Sequence, residues 1–305
     1  MLAYALKRLG VAILVALTVS GITFSMVYIS GDPALAIAGE GARQEDIENV
    51  RRYYGFDRPI HVQYFDWLWN AVQGNLGQSF NLRKPVSEVI FQRLPTTMLL
   101  GACAISFALL LAIPLGVLAA VKPNSLIDRF ALGLAVIGQA MPSFWFALTL
   151  ILWFGVYWRL LPITGQDSWA NFVMPSIALG YYVTPAVMRL TRAGMLEVLS
   201  SDYIRTARAK GLRPMRVLFK HALRNAIIPV VALAAVQFGF MLGGSIVIET
   251  IFQINGLGYL AWESIQRKDL PMMQAIVLVL SIIYVVITFL ADMLNAFLDP
   301  RIRVA

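Results

Sequence analysis

The sequence predicts an all-α membrane protein of six transmembrane helices, and three observations carry that expectation. The composition is 59% hydrophobic and only 14% charged, against roughly 25% charged in a soluble globular domain. The mean hydropathy is +0.70. A span needs roughly 20 largely apolar residues, and uncharged runs of that order lie at 9–31, 94–121, 130–158, 168–188, 225–248 and 270–291.

The first run follows Lys7 and Arg8, as the apolar part of a secretory signal would. Its 23 uncharged residues exceed the roughly 7–15 of a signal peptide, so a retained helix is expected. Six crossings put both termini on one side. If that side is cytoplasmic, inner segments hold 15 Lys and Arg, the short outer segments 159–167 and 249–269 hold 3, and the long outer stretch 32–93 holds 7. The positive-inside bias therefore places both termini in the cytoplasm. Trp153, Tyr157 and Trp158 cluster where the third run meets the outer interface, with Trp169 just beyond, the depth such side chains favour. Pro114, Pro142 and Pro185 lie inside apolar runs. Neighbouring helices satisfy the carbonyls that prolines free in a bundle, so packing kinks are expected and hinges are the alternative.

This divides the chain into the N-terminus and first helix (1–31), a periplasmic segment (32–93), and the remaining five helices (94–305) with a cytoplasmic loop near 195–224. In the periplasmic segment, 44–54 reads as a helix ending at Gly55, and Tyr64, Phe65, Trp67 and Trp69 suggest a small packed cap. His61 has no nearby Cys or His and is expected to be a surface or core histidine rather than a ligand.

The cytoplasmic loop opens on Ser200, Ser201 and Asp202, helix-capping residue types. Helix formers run from Tyr203 to Lys210, and Gly211 is a natural stop. Pro214 suits the first turn of a second helix, with Met215, Leu218, Phe219, Ala222 and Ala226 expected on one face. Arg213, Arg216, Lys220 and Arg224 occupy other faces. Such a basic amphipathic helix either lies on anionic lipid or docks to a cytoplasmic partner; periodicity does not choose.

Ser201-Asp202-Tyr203-Ile204-Arg205-Thr206-Ala207-Arg208-Ala209-Lys210-Gly211-Leu212, followed by His221-Ala222-Leu223-Arg224-Asn225-Ala226-Ile227-Ile228-Pro229, resembles the cytoplasmic coupling loop of permeases in the dipeptide/oligopeptide branch of ATP-binding-cassette (ABC) importers. Further blocks carry the same resemblance: Gly31-Asp32-Pro33, Tyr54-Gly55-Phe56-Asp57-Arg58-Pro59, Gln63-Tyr64, Arg93-Leu94-Pro95-Thr96-Thr97, Ile248-Glu249-Thr250-Ile251-Phe252, Gly256-Leu257-Gly258, Arg267-Lys268-Asp269-Leu270-Pro271 and Asp299-Pro300-Arg301-Ile302-Arg303. The broader importer pattern starts on Glu-Ala-Ala and closes on Leu-Pro; here those positions are Arg205-Thr206-Ala207 and Leu223-Arg224, a variation the peptide branch shares. The resemblance implies a permease of a bacterial inner membrane that forms half of a pathway for peptides or related solutes. It implies a second homologous permease subunit, two cytoplasmic ABC ATPase subunits and a periplasmic solute-binding protein as partners. It assigns Asp202, Arg205, Ala207, Gly211, Pro214, Met215, Leu218, Phe219 and Ala222 to the ATPase-coupling loop. Gly239, Gly243 and Gly244 are candidates for lining the pathway or for close helix contact.

The chain carries no chemistry of its own in the sequence. A Walker A loop needs Gly before Lys, and none of the six lysines follows a glycine. His61 and His221 stand 160 positions apart beside a single Cys103, which excludes the common zinc spacings and an intramolecular disulfide. No Gly-x-Ser-x-Gly elbow is present. Neither an enzyme nor a cofactor site is expected, with ATP and Mg2+ in the partner ATPases. The net charge of +8 reads as topology rather than nucleic-acid binding, since the charges sit between apolar runs. Arg189, Arg192, Glu249 and Asp292 lie at run ends, where each is expected to reach water, headgroups or a partner charge. A stand-alone proton-coupled carrier is the alternative from another class.

Overall fold

The computed structural model describes residues 2–29, 31–39 and 41–298; the terminal block at 299–303 lies outside the described residues. Among the described residues four helices are unbroken and long enough to span: α1 (Leu2–Ile29), α5 (Val86–Val121), α13 (Ile228–Phe252) and α15 (Leu270–Leu298). These arise from four of the uncharged runs. The other two runs behave differently.

The run 130–158 is not a straight crossing. It forms α6 (Leu126–Ala140) and α7 (Ser143–Leu150), the latter continuing as π-helical turns over Ile151–Tyr157. The two halves are bent by 103° at Met141-Pro142. Proline pushes the residue before it out of the α region, and Met141 has extended backbone at φ −84°, ψ 130°. The hydroxyl of Tyr181 donates to the Met141 carbonyl at 2.6 Å, satisfying one group the break frees. The three prolines thus act differently: Pro114 is carried inside continuous α5, Pro185 opens a helix at its first turn, and Pro142 breaks one.

The run 168–188 becomes α8 (Ala170–Gly180), a short turn, and α9 (Thr184–Leu199), which extends past Arg189 and Arg192. At 36 residues, α5 is about 54 Å long. Ala104, Ala108 and Ala112 recur every fourth residue on its buried face. Such small side chains let helices in lipid approach closely. A Cβ at Gly116 would stand 2.7 Å from the Met188 carbonyl of α9. The first end of α5 packs on Leu257, Leu260 and Met272, whereas Val117 and Ala120 near its last end pack on Ile204, Val217 and Ala222.

Between α1 and α5 lie α2 (Pro33–Ala38), α3 (Gln44–Tyr54) and α4 (Ile60–Val72). Gly55 ends α3 in the left-handed region at φ 71°. Phe24 of α1 is buried against Tyr64 and Trp67 of α4, with ring centroids 5.5 and 5.8 Å away. Arg8 pairs with Asp292 at 3.0 Å, so the two terminal helices run antiparallel with their chain-end sides adjacent.

Candidate functional site

The loop after α9 is built as one locked face and one displayed face. It comprises α10 (Asp202–Ala209), α11 (Pro214–Arg216), π-helical turns at Val217–Leu223 and α12 (Arg224–Ala226). Gly211 has φ +74°. Its N–H donates to the Arg208 carbonyl at 2.9 Å, and the Leu212 N–H donates to the Ala207 carbonyl at 3.4 Å. This double closure is a Schellman cap, which requires a left-handed residue in that place. Ser201 stands at the N-cap, but its hydroxyl turns back to the Val198 carbonyl at 2.6 Å.

The expected single apolar face divides. Ile204, Ala207, Val217, Ala222 and Ala226 are buried in one cluster with Met195, Val117 and Ala120, and Leu218 packs at its margin. Met215 and Phe219 point away, 66% and 52% exposed. The cause is the π-helical register: bonding from i to i+5 widens the turn, so Val217 and Ala222, five apart, share the inward side. Asp202 and Arg205 are exposed and paired with one another at 3.4 Å. Pro214 occupies the first turn of α11, as expected.

A cavity of about 690 Å³ lies at the 103° break, between the ends of α6 and α7, the α8–α9 turn and α13. Its lining includes the polar side chains of Gln139, Ser143, Tyr182 and Gln237, together with Gly244. Gly243 and Gly244 have nothing within 4 Å of where a Cβ would stand. Gly239 differs from them: it is buried, and a Cβ there would collide with the ring of Tyr284 on α15.

The far end of the bundle joins several sequence blocks. Glu249, in the last turn of α13, is 0% exposed, which corrects the expectation that it reaches water or headgroups. Its carboxyl accepts from Thr97 Oγ1 at 2.8 Å and from the Tyr259 N–H at 2.9 Å. Thr97 Oγ1 also accepts from the Leu257 N–H at 2.7 Å. Thr97 and Glu249 thereby satisfy free donors at the start of α14 (Leu257–Gln266), groups every helix N-terminus leaves unpaired. A Cβ at Gly256 would overlap both of their oxygens. Nearby, Asp269 is buried and accepts from the Ser79 hydroxyl, from the N–H groups of Phe80 and Asn81 at 3.3 Å, and from the Met272 N–H at 3.4 Å. That carboxyl fastens the 78–85 loop to the first turn of α15.

The two arginines of α9 have different surroundings. Arg192 grips Asp128 with two bonds of 2.7 Å, and Asp128 is only 2% exposed. Paired in this way a charge is tolerable away from water. Arg189 is exposed and donates to Gln139 Oε1 at 3.0 Å. Sequence reasoning overlooked Gln139, Ser143, Tyr182 and Gln237. Pro142 was the available signal, but apolar runs tolerate proline with or without a break.

Residues 112–304 match the family described as binding-protein-dependent transport system inner membrane component, and residues 1–101 match its N-terminal membrane component. The chain is 39% identical over 336 aligned positions, covering 99% of each chain, to the dipeptide transport system permease protein DppB of Escherichia coli strain K12. It is 42% identical over 304 positions, again covering 99% of each, to the glutathione transport system permease protein GsiC of Salmonella typhimurium strain LT2. Among solved structures, the MetNI methionine ABC transporter in inward-facing conformations shares the fold at a TM-score of 0.57 and 20% identity, covering 69% of this chain and 96% of that one. An amino acid ABC transporter solved with histidines gives 0.51 at 18% identity, covering 70% and 94%. Matched along nearly its whole length, the chain belongs to the binding-protein-dependent transport system inner membrane components, as a multi-pass inner-membrane permease subunit of an ABC importer whose ATP hydrolysis resides in separate subunits.

Proposed function

We propose that this permease forms half of the translocation pathway for peptides or closely related solutes, handed over by a periplasmic binding protein. The observation that carries this reading is the cavity at the Met141-Pro142 break. Its volume of about 690 Å³ falls within the roughly 300–1,000 Å³ of sites for small molecules, and its neutral polar lining offers hydrogen bonds in a region otherwise packed with aliphatic side chains. Peptide cargo is favoured because the aligned relatives are named for dipeptide and glutathione transport.

In this reading a second, homologous permease completes the pathway and two ATPases binding ATP and Mg2+ seat on the cytoplasmic loop. Asp202, Arg205, Gly211, Pro214, Met215, Leu218 and Phe219 form or shape the docking surface, and Ala207 and Ala222 fix it to the bundle. Gly243 and Gly244 border the pathway, and Gly239 makes a helix contact. The α6–α7 pair counts as one crossing and α8 with α9 as another, giving six with both termini cytoplasmic. The segment 32–93 is periplasmic and 94–305 is the transmembrane domain. Nucleotide-driven closure of the ATPases shifts the population of inward- and outward-open states.

Orientation is tested by single cysteines at Ser201 and Gln78 in a Cys103→Ala background. An impermeant thiol reagent is expected to label the first from the cytoplasmic side and the second from the periplasmic side; reversed labelling ends the proposed topology. Function is tested by reconstitution. In liposomes the chain alone is expected to show neither ATP hydrolysis nor gradient-driven uptake, while the complete complex hydrolyses ATP faster with loaded binding protein. Uptake by the lone chain under a proton gradient would favour a stand-alone carrier instead.

A further inference from the structure

We propose that Arg189, held at the cavity by Gln139, receives a carboxylate of the solute in transit, so that the pathway favours carboxylate-bearing cargo over bare cations. The inference rests on reading the cavity as part of the pathway. Gln139, in the last turn of α6, lines that cavity and accepts the Arg189 bond at 3.0 Å. Ala186, three residues before Arg189 on α9, lines it too, and residues three apart share a helix face. Arg189 is not itself one of the lining residues; it reaches the rim of the cavity through the Gln139 bond.

Charge makes this position informative. Ionisable groups within spanning helices face a partner charge or a water-filled path. Arg192, one turn on, obeys the first alternative through the buried Asp128. Arg189 obeys the second: it is exposed, and among the described residues its hydrogen-bond partner is the neutral Gln139 side-chain amide. One donated bond leaves most of the five guanidinium donors for another acceptor. The cavity lining itself is uncharged. A zwitterionic solute entering it would shed water from its carboxylate without a compensating cation. Arg189 supplies that cation in the planar fork that matches a carboxylate, and the same charge repels a bare metal ion at close range.

The test uses the complete importer in proteoliposomes, with this chain as Arg189→Cys in a Cys103→Ala background. Uptake of a radiolabelled hydrolysate of di- and tripeptides is measured per ATP hydrolysed. Arg189→Cys is expected to lower that ratio by about tenfold or more, as loss of a charge-assisted contact implies. A methanethiosulfonate reagent carrying ethylammonium should restore part of it, the sulfonatoethyl reagent should not, and Arg189→Lys should keep part of it, since an ammonium supplies the charge without the planar fork. The Cys103→Ala complex, treated alike, controls for cysteines elsewhere. Copurification of the ATPases and stimulation of hydrolysis by loaded binding protein are read in the same preparations. Equal uptake by Arg189→Cys with and without either reagent overturns the proposal. So does loss of ATPase copurification or stimulation, which would assign Arg189 to a subunit contact, and so does an unaltered complex that takes up none of the hydrolysate. Ser143→Trp separates the two layers: normal uptake with that bulk in the cavity would end the pathway reading itself, whereas blocked uptake beside an indifferent Arg189→Cys would end this proposal alone.

Discussion

Phe219→Asp is expected to cut solute-stimulated ATP hydrolysis by the assembled importer about 30-fold, while the chain still inserts and remains folded. Phe219 is 52% exposed beside the equally outward Met215, whereas the rest of the loop is anchored through Val217 and Ala222. Its removal therefore takes little from the core and much from whatever seats there. Aromatic anchors at the centre of an interface commonly carry about 2 kcal/mol or more, which is roughly 30-fold in affinity. Gly211→Val acts on the same surface by another route. No atom crowds Gly211, but φ +74° is hostile to a β-branched residue, at a cost of about 1–3 kcal/mol. That strain is relieved by shifting the turn that aims α11. Gly211→Asn, which tolerates the left-handed region, should behave almost as the parent. Pull-down of the ATPases and hydrolysis rates, with and without loaded binding protein, read all three variants. If Phe219→Asp and Gly211→Val both copurify with the ATPases and transport normally, the loop is not the coupling element.

Glu249→Ala should have the largest effect on stability. The side chain is fully buried and accepts from Thr97 and the Tyr259 N–H, while Thr97 accepts from Leu257. Deleting the carboxyl leaves donors at the start of α14 without an acceptor, at about 1–3 kcal/mol for each group left unsatisfied. The loss falls where α5, α13 and α14 meet. Glu249→Gln keeps an acceptor oxygen of similar reach and should recover a good part of the loss. Thermal melting of the detergent-solubilised protein, followed by size-exclusion recovery after heating, checks the order: parent above Glu249→Gln above Glu249→Ala. Equal melting of Glu249→Ala and parent would mean that the junction contributes nothing to stability.

Local signals in the sequence carried far; direction and distant contacts did not. The α3 helix runs from Gln44 to Tyr54 and ends at Gly55, and α10 ends ahead of Gly211, as residue types indicated. In both cases the cause is local, a glycine whose backbone accepts positive φ. The apolar stripe of the loop was legible only in part, because a 3.6-residue period cannot foresee π-helical turns that bring Val217 inward and leave Met215 and Phe219 outside. The bend at Met141-Pro142 was hidden for a related reason. Counting uncharged residues measures composition, and Pro114 and Pro142 look alike by that measure although one is absorbed and the other breaks the helix. Thr97 and Glu249 each lay in a recognised block, yet 152 positions separate them and only the folded bundle joins them.

The length of α5 has a mechanical consequence. Its 36 residues cover about 54 Å, well beyond the roughly 30 Å hydrocarbon layer. About a third of the way along it Thr97 meets Glu249, and near its last end Val117 and Ala120 support the loop that carries Phe219. A rod of that length acts as a lever: tilting it by about 5° about one end displaces the other by about 5 Å, close to one helical turn. If the loop is the coupling element proposed above, small rocking there is magnified at the first end of α5, and no relay of side-chain rearrangements through the intervening bundle is needed to carry it.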